Sequence, residues 1–267
     1  MNDISLTCEL VKLLNSYGYH PVFLPRTGIK PPEIYSYATQ GRLVRRGPLA
    51  EYLPVGDKLP LKRGELGNIE HKKTSRKSLD SATSFLKDAL KCIGISSPPK
   101  LDLSFALGSE ITFSFTGVTY EAADIAVIDQ VIHKLRTGAI PEEQIEEGKL
   151  HIAYDYAYAK MLKMQVADRH SLKSDITGAN LESFINLGLK GEAKAEDETT
   201  ITFRSSAEKE PAVFAFKAGQ LRREKINGQV KWSFYPEEIF GDGFVANEGS
   251  RMPYMIERGV VLRVDEN

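Results

Sequence analysis

The chain has 267 residues, of which 42% are hydrophobic, enough to bury a sizeable core in one large domain or two modest ones. Thirty-five Lys and Arg against thirty-six Asp and Glu leave a formal charge of -1, which excludes a global field drawing the molecule onto nucleic acid or an anionic membrane; any such attraction must be local. No apolar run approaches the ~20 residues of a spanning helix, and "MNDISLTCELVKLL" lacks the basic start and small-residue cleavage site of a secretory signal, so a soluble, cytoplasmic chain is expected, with Cys8 and Cys92 as free thiols.

The first predicted element is a helix over "DISLTCELVKLLNSYG". Leu6, Leu10, Leu13, Leu14 and Tyr17 share a face, Asp3 can cap the start, and Gly18 can take the left-handed stop. Cys8 points off that stripe, toward Ile4 and Val11. From Tyr19 to Leu66, Pro and Gly are so frequent that helices are excluded and short strands joined by turns are expected. "SLDSATSFLKDALKCIG" then reads as a second amphipathic helix, capped by Ser78 and stopped by Gly94.

The clearest alternation follows. Leu101, Leu103, Phe105, Leu107, Ile111, Phe113 and Phe115 take one side, and Asp102, Ser104, Glu110, Thr112 and Ser114 the other. Period two predicts a strand pair or one long bent strand, with Gly108 and Ser109 as the turn or bulge. A third helix is expected over "ADIAVIDQVIHKLRTG", with Ile125, Ile128, Val131, Ile132 and Leu135 facing the core.

Alternation resumes in "KLHIAYDYAYAKMLKMQVADRH", with Leu150, Ile152, Tyr154, Tyr156, Tyr158, Leu162, Met164 and Val166 on one side and only Lys160 interrupting. "LESFINLGLKG" reads as a short helix, "EAKAEDE" as a solvated charged turn, and "TTITFRSS" and "AVFAFKAG" as strands broken at "AEKEP". A tail beginning at Trp232 holds a Gly-rich loop and ends on "GVVLRV", a short strand. Long amphipathic strands separated by helices predict an α+β fold with a twisted antiparallel sheet, flanked by helices, and not a doubly wound parallel one.

No phosphate-cradling glycine loop, HExxH, CxxC or GxSxG is present, and the five histidines lack ligand spacing, so the residues give no reason to propose an enzyme or a metal site. What remains is physical. The basic cluster Lys72, Lys73, Arg76 and Lys77 precedes the second helix, with Arg42, Arg45, Arg46, Lys62 and Arg63 upstream. It is either a solvated face or a contact for anionic lipid headgroups, each cation there contributing ~1 kcal/mol. Likewise, residues 100–116 and 149–166 are either one-sided strands of a soluble sheet or strands able to cross a bilayer, which takes ~9 to 11 alternating residues.

"YGYHPVFLPRTGIKP", followed by "GRLVRRGPLAEYLP", resembles the N-terminal region of the bacterial gasdermins, compact pore-forming proteins. The likeness is strongest over residues 4–67 and continues in the order of elements. It implies an autoinhibited cytoplasmic monomer of antiphage defence, acting on no nucleic acid. A caspase-like or other protease would remove a C-terminal peptide, and the released body would form a homo-oligomeric β-barrel in the inner membrane and kill the cell.

The resemblance also implies a fatty acyl group, expected to be palmitoyl, on Cys8, and no other cofactor. Lys72, Lys73, Arg76, Lys77, Arg45 and Arg46 become the lipid contacts. One inserting hairpin would span about Leu101 to Tyr120, with the helix at 79–93 refolding into it, and would carry Leu101, Leu103, Phe105, Ile111, Phe113 and Phe115. The other would pair Leu150–Val166 with Thr199–Phe216 and carry Ile152, Tyr154 and Tyr156. A barrel must close, because open strand edges do not survive in hydrocarbon. On this reading residues 1–240 are the pore-forming domain and 241–251 an exposed cleavable loop holding Phe244, Asn247 and Arg251, where Arg251 suits a basic preference and Phe244 an apolar one. Residues 252–267 are then the short autoinhibitory segment that closes the fold, anchored by Tyr254, Ile256, Val261 and Leu262. The alternative is a soluble α+β binding or scaffold protein without membrane activity.

Overall fold

The structure, a computed structural model, describes residues 13, 14, 16–38, 42–54, 59–74, 110–136, 150–167, 191–197, 200–205, 211–226 and 229–236. These residues form one eleven-stranded sheet. The strands are β1 (His20–Arg26), β2 (Glu33–Ala38), β3 (Arg42–Pro48), β4 (Leu61–Thr74), β5 (Glu110–Ala123), β6 (Leu150–Ala159), β7 (Met161–Ala167), β8 (Gly191–Asp197), β9 (Thr200–Ser205), β10 (Ala212–Ile226) and β11 (Gln229–Pro236). The main path runs β1-β10-β6-β5-β7-β9-β8, with β11 on β10, β4 on β5, and β2 bridging β3 to β6. Every pairing is antiparallel, as the amphipathic patterns predict.

The sheet is built around β6, all ten of whose residues are buried. Its apolar series does not stay on one side, as strict alternation would require. The register with β10 slips between Lys217 and Ala218, leaving Tyr154 as an extra residue on β6, and a bulge of this kind resets which side chains face which way. Ile152 and Tyr154 therefore pack with Trp232, Phe234, Ile128 and Leu49. Tyr156 and Tyr158 pack in a second cluster with Val22, Tyr35, Val213 and Phe216. One strand thus serves two cores.

One α-helix is described from end to end, α1 (Ile125–Val131), continued by a 3-10 turn over Ile132–Lys134. Asp124 caps it, its Oδ1 accepting from Ala126 N at 2.9 Å. Ile128, Val131 and Ile132 face the core as expected, and Leu135 packs beside them. Ile125, however, is exposed.

Three further readings need correction. "GEAKAED" is strand β8, paired with β9, where an edge position accounts for its charge. The helix-free stretch holds a 3-10 turn at Leu49–Tyr52, whose Leu49 and Tyr52 are buried. At the end of the first predicted helix, Leu13, Leu14 and Ser16 are helical and Gly18 has φ +75, but Tyr17 is exposed while Leu14 and Tyr19 are buried. The predicted helices at 78–94 and 181–191 lie outside the described residues, apart from Gly191, which opens β8.

Candidate functional site

Two sets of strands extend from the β6 root. The first is the pair β4 and β5, each of 14 residues, in register from Leu61–Ala123 to Thr74–Glu110. The strand expected to pair with β5 in the hairpin over residues 101–120 lies outside the described residues, and among these β5 has β4 along one edge and β6 and β7 along the other. The second set continues the β6 and β10 lines. β7 pairs β9 from Met161–Arg204 to Gln165–Thr200, and β6 pairs β10, so Tyr156–Ala159 and Met161–Gln165 find partners within the expected Thr199–Phe216, whereas Leu150–Asp155 pair beyond it, with Lys217–Leu221. β5 joins the sets, meeting β6 through Thr119–Ala122 and β7 through Glu110–Thr116.

The strand lines share a transverse irregularity. In β4 the register slips on both sides of Gly67, which has φ +75. Gly67 pairs Val118 of β5, and the neighbouring Gly117 has φ +61, its N–H donating to Asn68 Oδ1 at 3.2 Å. Across β5, Lys160 separates β6 from β7, its N–H donating to Thr116 O at 3.1 Å and its stem lying over Gly117. Thr116 Oγ1 donates to Met161 O at 3.4 Å. The next line breaks at the same level, since Arg204 of β9 pairs Met161 and Ala212 of β10 pairs Ala159. Phe115 and Phe214 stack beside it, with ring centroids 4.3 Å apart.

Below that level, buried polar groups tie the root together. Glu33 is 1% exposed and takes Arg45 on Oε1, with contacts of 2.6 and 3.0 Å. The Tyr35 and Tyr156 hydroxyls lie 2.7 and 3.1 Å from its Oε2. Burial, then the adjacent Glu33 charge, pushes the Tyr35 hydroxyl well above the ordinary phenol range, and the bond to Glu33 raises Arg45. Paired and hydrogen-bonded, the carboxylate is tolerated in the interior; stripped of Arg45 it would not be.

A second cluster ties the N-terminal segment down. The Tyr19 hydroxyl donates to Asp155 at 3.1 Å, and Lys217 Nζ sits 4.4 Å from the Tyr19 ring centroid and 3.6 Å from Asp155 Oδ2. Burial and then the nearby Asp155 raise the Tyr19 hydroxyl. Neither cluster was foreseen. The signal was a lone acid inside an apolar strand, "PPEIYSY" and "AYDYAYA", which has to find partners.

The predicted site residues distribute unevenly over this frame. Ile111 and Phe113 lie on β5, opposite Val166 and Met164 of β7, and Phe115 follows them and is buried. Ile152, Tyr154 and Tyr156 are buried in the two cores. Lys72 and Lys73 stand on β4, in register with Thr112 and Ile111, so this half of the basic cluster belongs to a strand; the helix expected after it lies outside the described residues. Arg45 is engaged with Glu33, and Arg46 Nε donates to Ser36 Oγ at 2.8 Å. Cys8, Arg76, Lys77, Leu101, Leu103, Phe105, Phe244, Asn247, Arg251, Tyr254, Ile256, Val261 and Leu262 lie outside the described residues. Among the described residues there is no group arranged to hold a metal ion, and no helix is long and apolar enough to cross a membrane, which leaves crossing by strands open.

Comparison with known proteins identifies relatives of the chain. The family model described as the Bacterial Gasdermin Family matches residues 22–231. The chain is 46% identical over 268 residues to a gasdermin, bGSDM, of Piscinibacter sakaiensis, covering 98% of each protein. It is 23% identical over 219 residues to the gasdermin bGSDM of Lysobacter enzymogenes, covering 78% of each. A solved bacterial gasdermin from Bradyrhizobium tropiciagri aligns over 83% of this chain and 89% of its own at 15% identity, with a TM-score of 0.45.

Proposed function

The chain belongs to the bacterial gasdermin family, whose members are non-enzymatic pore formers of cell death that oligomerise on membrane lipid, and from that premise we propose that it is an autoinhibited cytoplasmic monomer armed by proteolysis. A caspase-like or other protease cuts within 241–251, in the region of Phe244, Asn247 and Arg251, and the segment 252–267 leaves with its anchors Tyr254, Ile256, Val261 and Leu262. The body, 1–240, then assembles in the inner membrane as a closed β-barrel and kills the cell in antiphage defence. An acyl chain on Cys8, palmitoyl in this reading, assists insertion, since a single chain gives only marginal and reversible membrane binding.

The observation that carries the reading is the length and pairing of the strands. β4 and β5 are 14 residues each and paired from end to end apart from the slips around Gly67, longer than the ~9 to 11 residues a bilayer strand needs. Ile111, Phe113 and Phe115 supply the lipid-facing side of β5, continued by Leu101, Leu103 and Phe105. Lys72 and Lys73, with Arg76 and Lys77, dock on anionic headgroups. Arg45 and Arg46 join them only by giving up Glu33 and Ser36, and Ile152, Tyr154 and Tyr156 meet lipid only if β6 abandons both cores.

Dye release from anionic liposomes tests this, using the full chain with a protease site engineered into 243–251, before and after cutting. Release is expected only after cutting. A cut protein that stays folded and releases nothing would overturn the reading. Phe113→Asp should then abolish release while leaving docking intact, and Lys72→Glu with Lys73→Glu should weaken docking itself.

A further inference from the structure

Four adjacent strand lines lose their regularity at one level of the sheet: β4 at Gly67 and Asn68, β5 at Thr116 and Gly117, the β6 and β7 line at Lys160, and the β9 and β10 line between Ser205 and Ala212. Bulges usually occur singly, at edges. Here they run across the sheet as a crease. The two left-handed glycines lie next to one another across the ladder, Gly67 pairing Val118 beside Gly117, and the Asn68 side chain and the Thr116 carbonyl close the gap that the missing ladder bonds leave.

Beyond the crease the arms are short. β7 has 7 residues and β9 has 6, fewer than the ~9 to 11 required to cross hydrocarbon. With the crease flattened, β6, Lys160 and β7 become one uninterrupted line from Leu150 to Ala167, and β4 and β5 become regular over 14 residues each.

We infer that this crease is a built-in hinge: the resting protein is held bent at Gly67 and Gly117, and both glycines leave the left-handed region when the strands straighten for insertion. The inference rests on the pore-forming reading and adds to it the place where the strands change shape. It also accounts for Lys160, which would otherwise be a defect in a membrane strand.

The crease has a definite consequence for substitution. An alanine at either glycine penalises the bent backbone but not an extended strand. At Gly67 the added Cβ meets nothing within 4 Å, so the penalty there is the backbone's alone; at Gly117 it also meets the Lys160 stem at 3.0 Å. Gly64 is the matched control. It lies on the same β4 but not in the left-handed region, and a Cβ there would strike the Tyr120 ring at 2.6 Å, destabilising the resting body without touching the crease.

The experiment compares G67A, G117A and G64A with the parent chain, all carrying the cleavable site, by thermal unfolding of the uncut protein and by dye-release rate after cutting. All three variants should unfold at lower temperature. The crease variants should release dye about five- to tenfold faster than the parent, whereas G64A, compared at equal loss of thermal stability, should not. If G64A accelerates release as much as G67A, general loosening explains the effect and the hinge is wrong. If G67A and G117A slow or abolish release while still docking, the left-handed turns persist in the pore and the hinge is wrong. A parent chain that releases nothing after cutting removes the pore reading itself, and the hinge with it.

Discussion

β4 and β6 run along opposite edges of β5, and they are held in different ways. Every residue of β6 is buried, with aromatic groups in two separate cores and a polar network at its centre. Along β4, Lys62, Arg63, Glu65, Gly67, Asn68 and Glu70 are exposed and Ile69 is buried. β4 is fixed by its ladder to β5 and by two ion pairs near its base, Lys62–Asp124 at 2.6 Å and Arg63–Glu121 at 2.8 Å. Exposed pairs of this kind contribute little. Ladder bonds can be remade with another strand, but a two-sided core cannot be remade in lipid without first being lost. A protein that must hold one region fixed and release another places its apolar area and buried charge in the first.

The sharpest way to break this contrast is to attack the buried charge. Arg45→Ala leaves Glu33 uncompensated in the root and should cost about 3 to 5 kcal/mol in urea unfolding. Glu65→Ala, on exposed β4, should stay within ~0.5 kcal/mol. Comparable losses would mean that root and arm do not differ in the way described. Removing an aromatic ring at the crease comes next. Phe115→Ala takes a fully buried ring from its stack with Phe214 and should cost ~3 kcal/mol by the same measurement. Tyr19→Phe is gentler. It deletes one hydrogen bond to Asp155 while leaving the ring under Lys217, and should cost ~1.5 kcal/mol. Hydrogen exchange should show the added opening around Leu14 and Tyr19 while the Glu33 network stays protected.

The same contrast decides what could be read from the residues. The β5 alternation, the Asp124-capped helix and the β6 to β7 line with its break at Lys160 were legible because each is a long element with one dominant pattern. β4 was not, because the slips on either side of Gly67 restart its alternation and its edge position fills it with charge. β8 was lost for the second of these reasons. In β11, Val230, Trp232 and Phe234 alternate with Lys231, Ser233 and Tyr235. Its pairing with β10 runs up to Gln229 and Ile226, which flank an Asn-Gly dipeptide, the strongest short hairpin signal available. The face switch at Tyr154 has no local signature, since it exists only in the register between β6 and β10. The buried polar networks belong to the same class, visible as an acid without a partner but not as a set of named partners.

The smallest effect tests the claim that ion pairs at the base of β4 matter little. The bond from Lys62, then the Ala126 N–H, holds the Asp124 carboxyl below its ordinary value. A carboxylate whose pKa is depressed by folding adds stability above its unfolded pKa and loses it as pH falls through the folded one. Asp124→Asn keeps a good helix cap and removes only the charge. The variant should therefore melt slightly below the parent at pH 7, and the difference should close as pH is lowered through about 4 and beyond. A difference that persists at pH 2 would locate the loss in the cap geometry, and a large difference at pH 7 would mean that β4 is clamped at its base. In that case the hinge at Gly67 would have to act against the clamp, and the division between a fixed root and a releasable arm would move from the crease to the start of the strand.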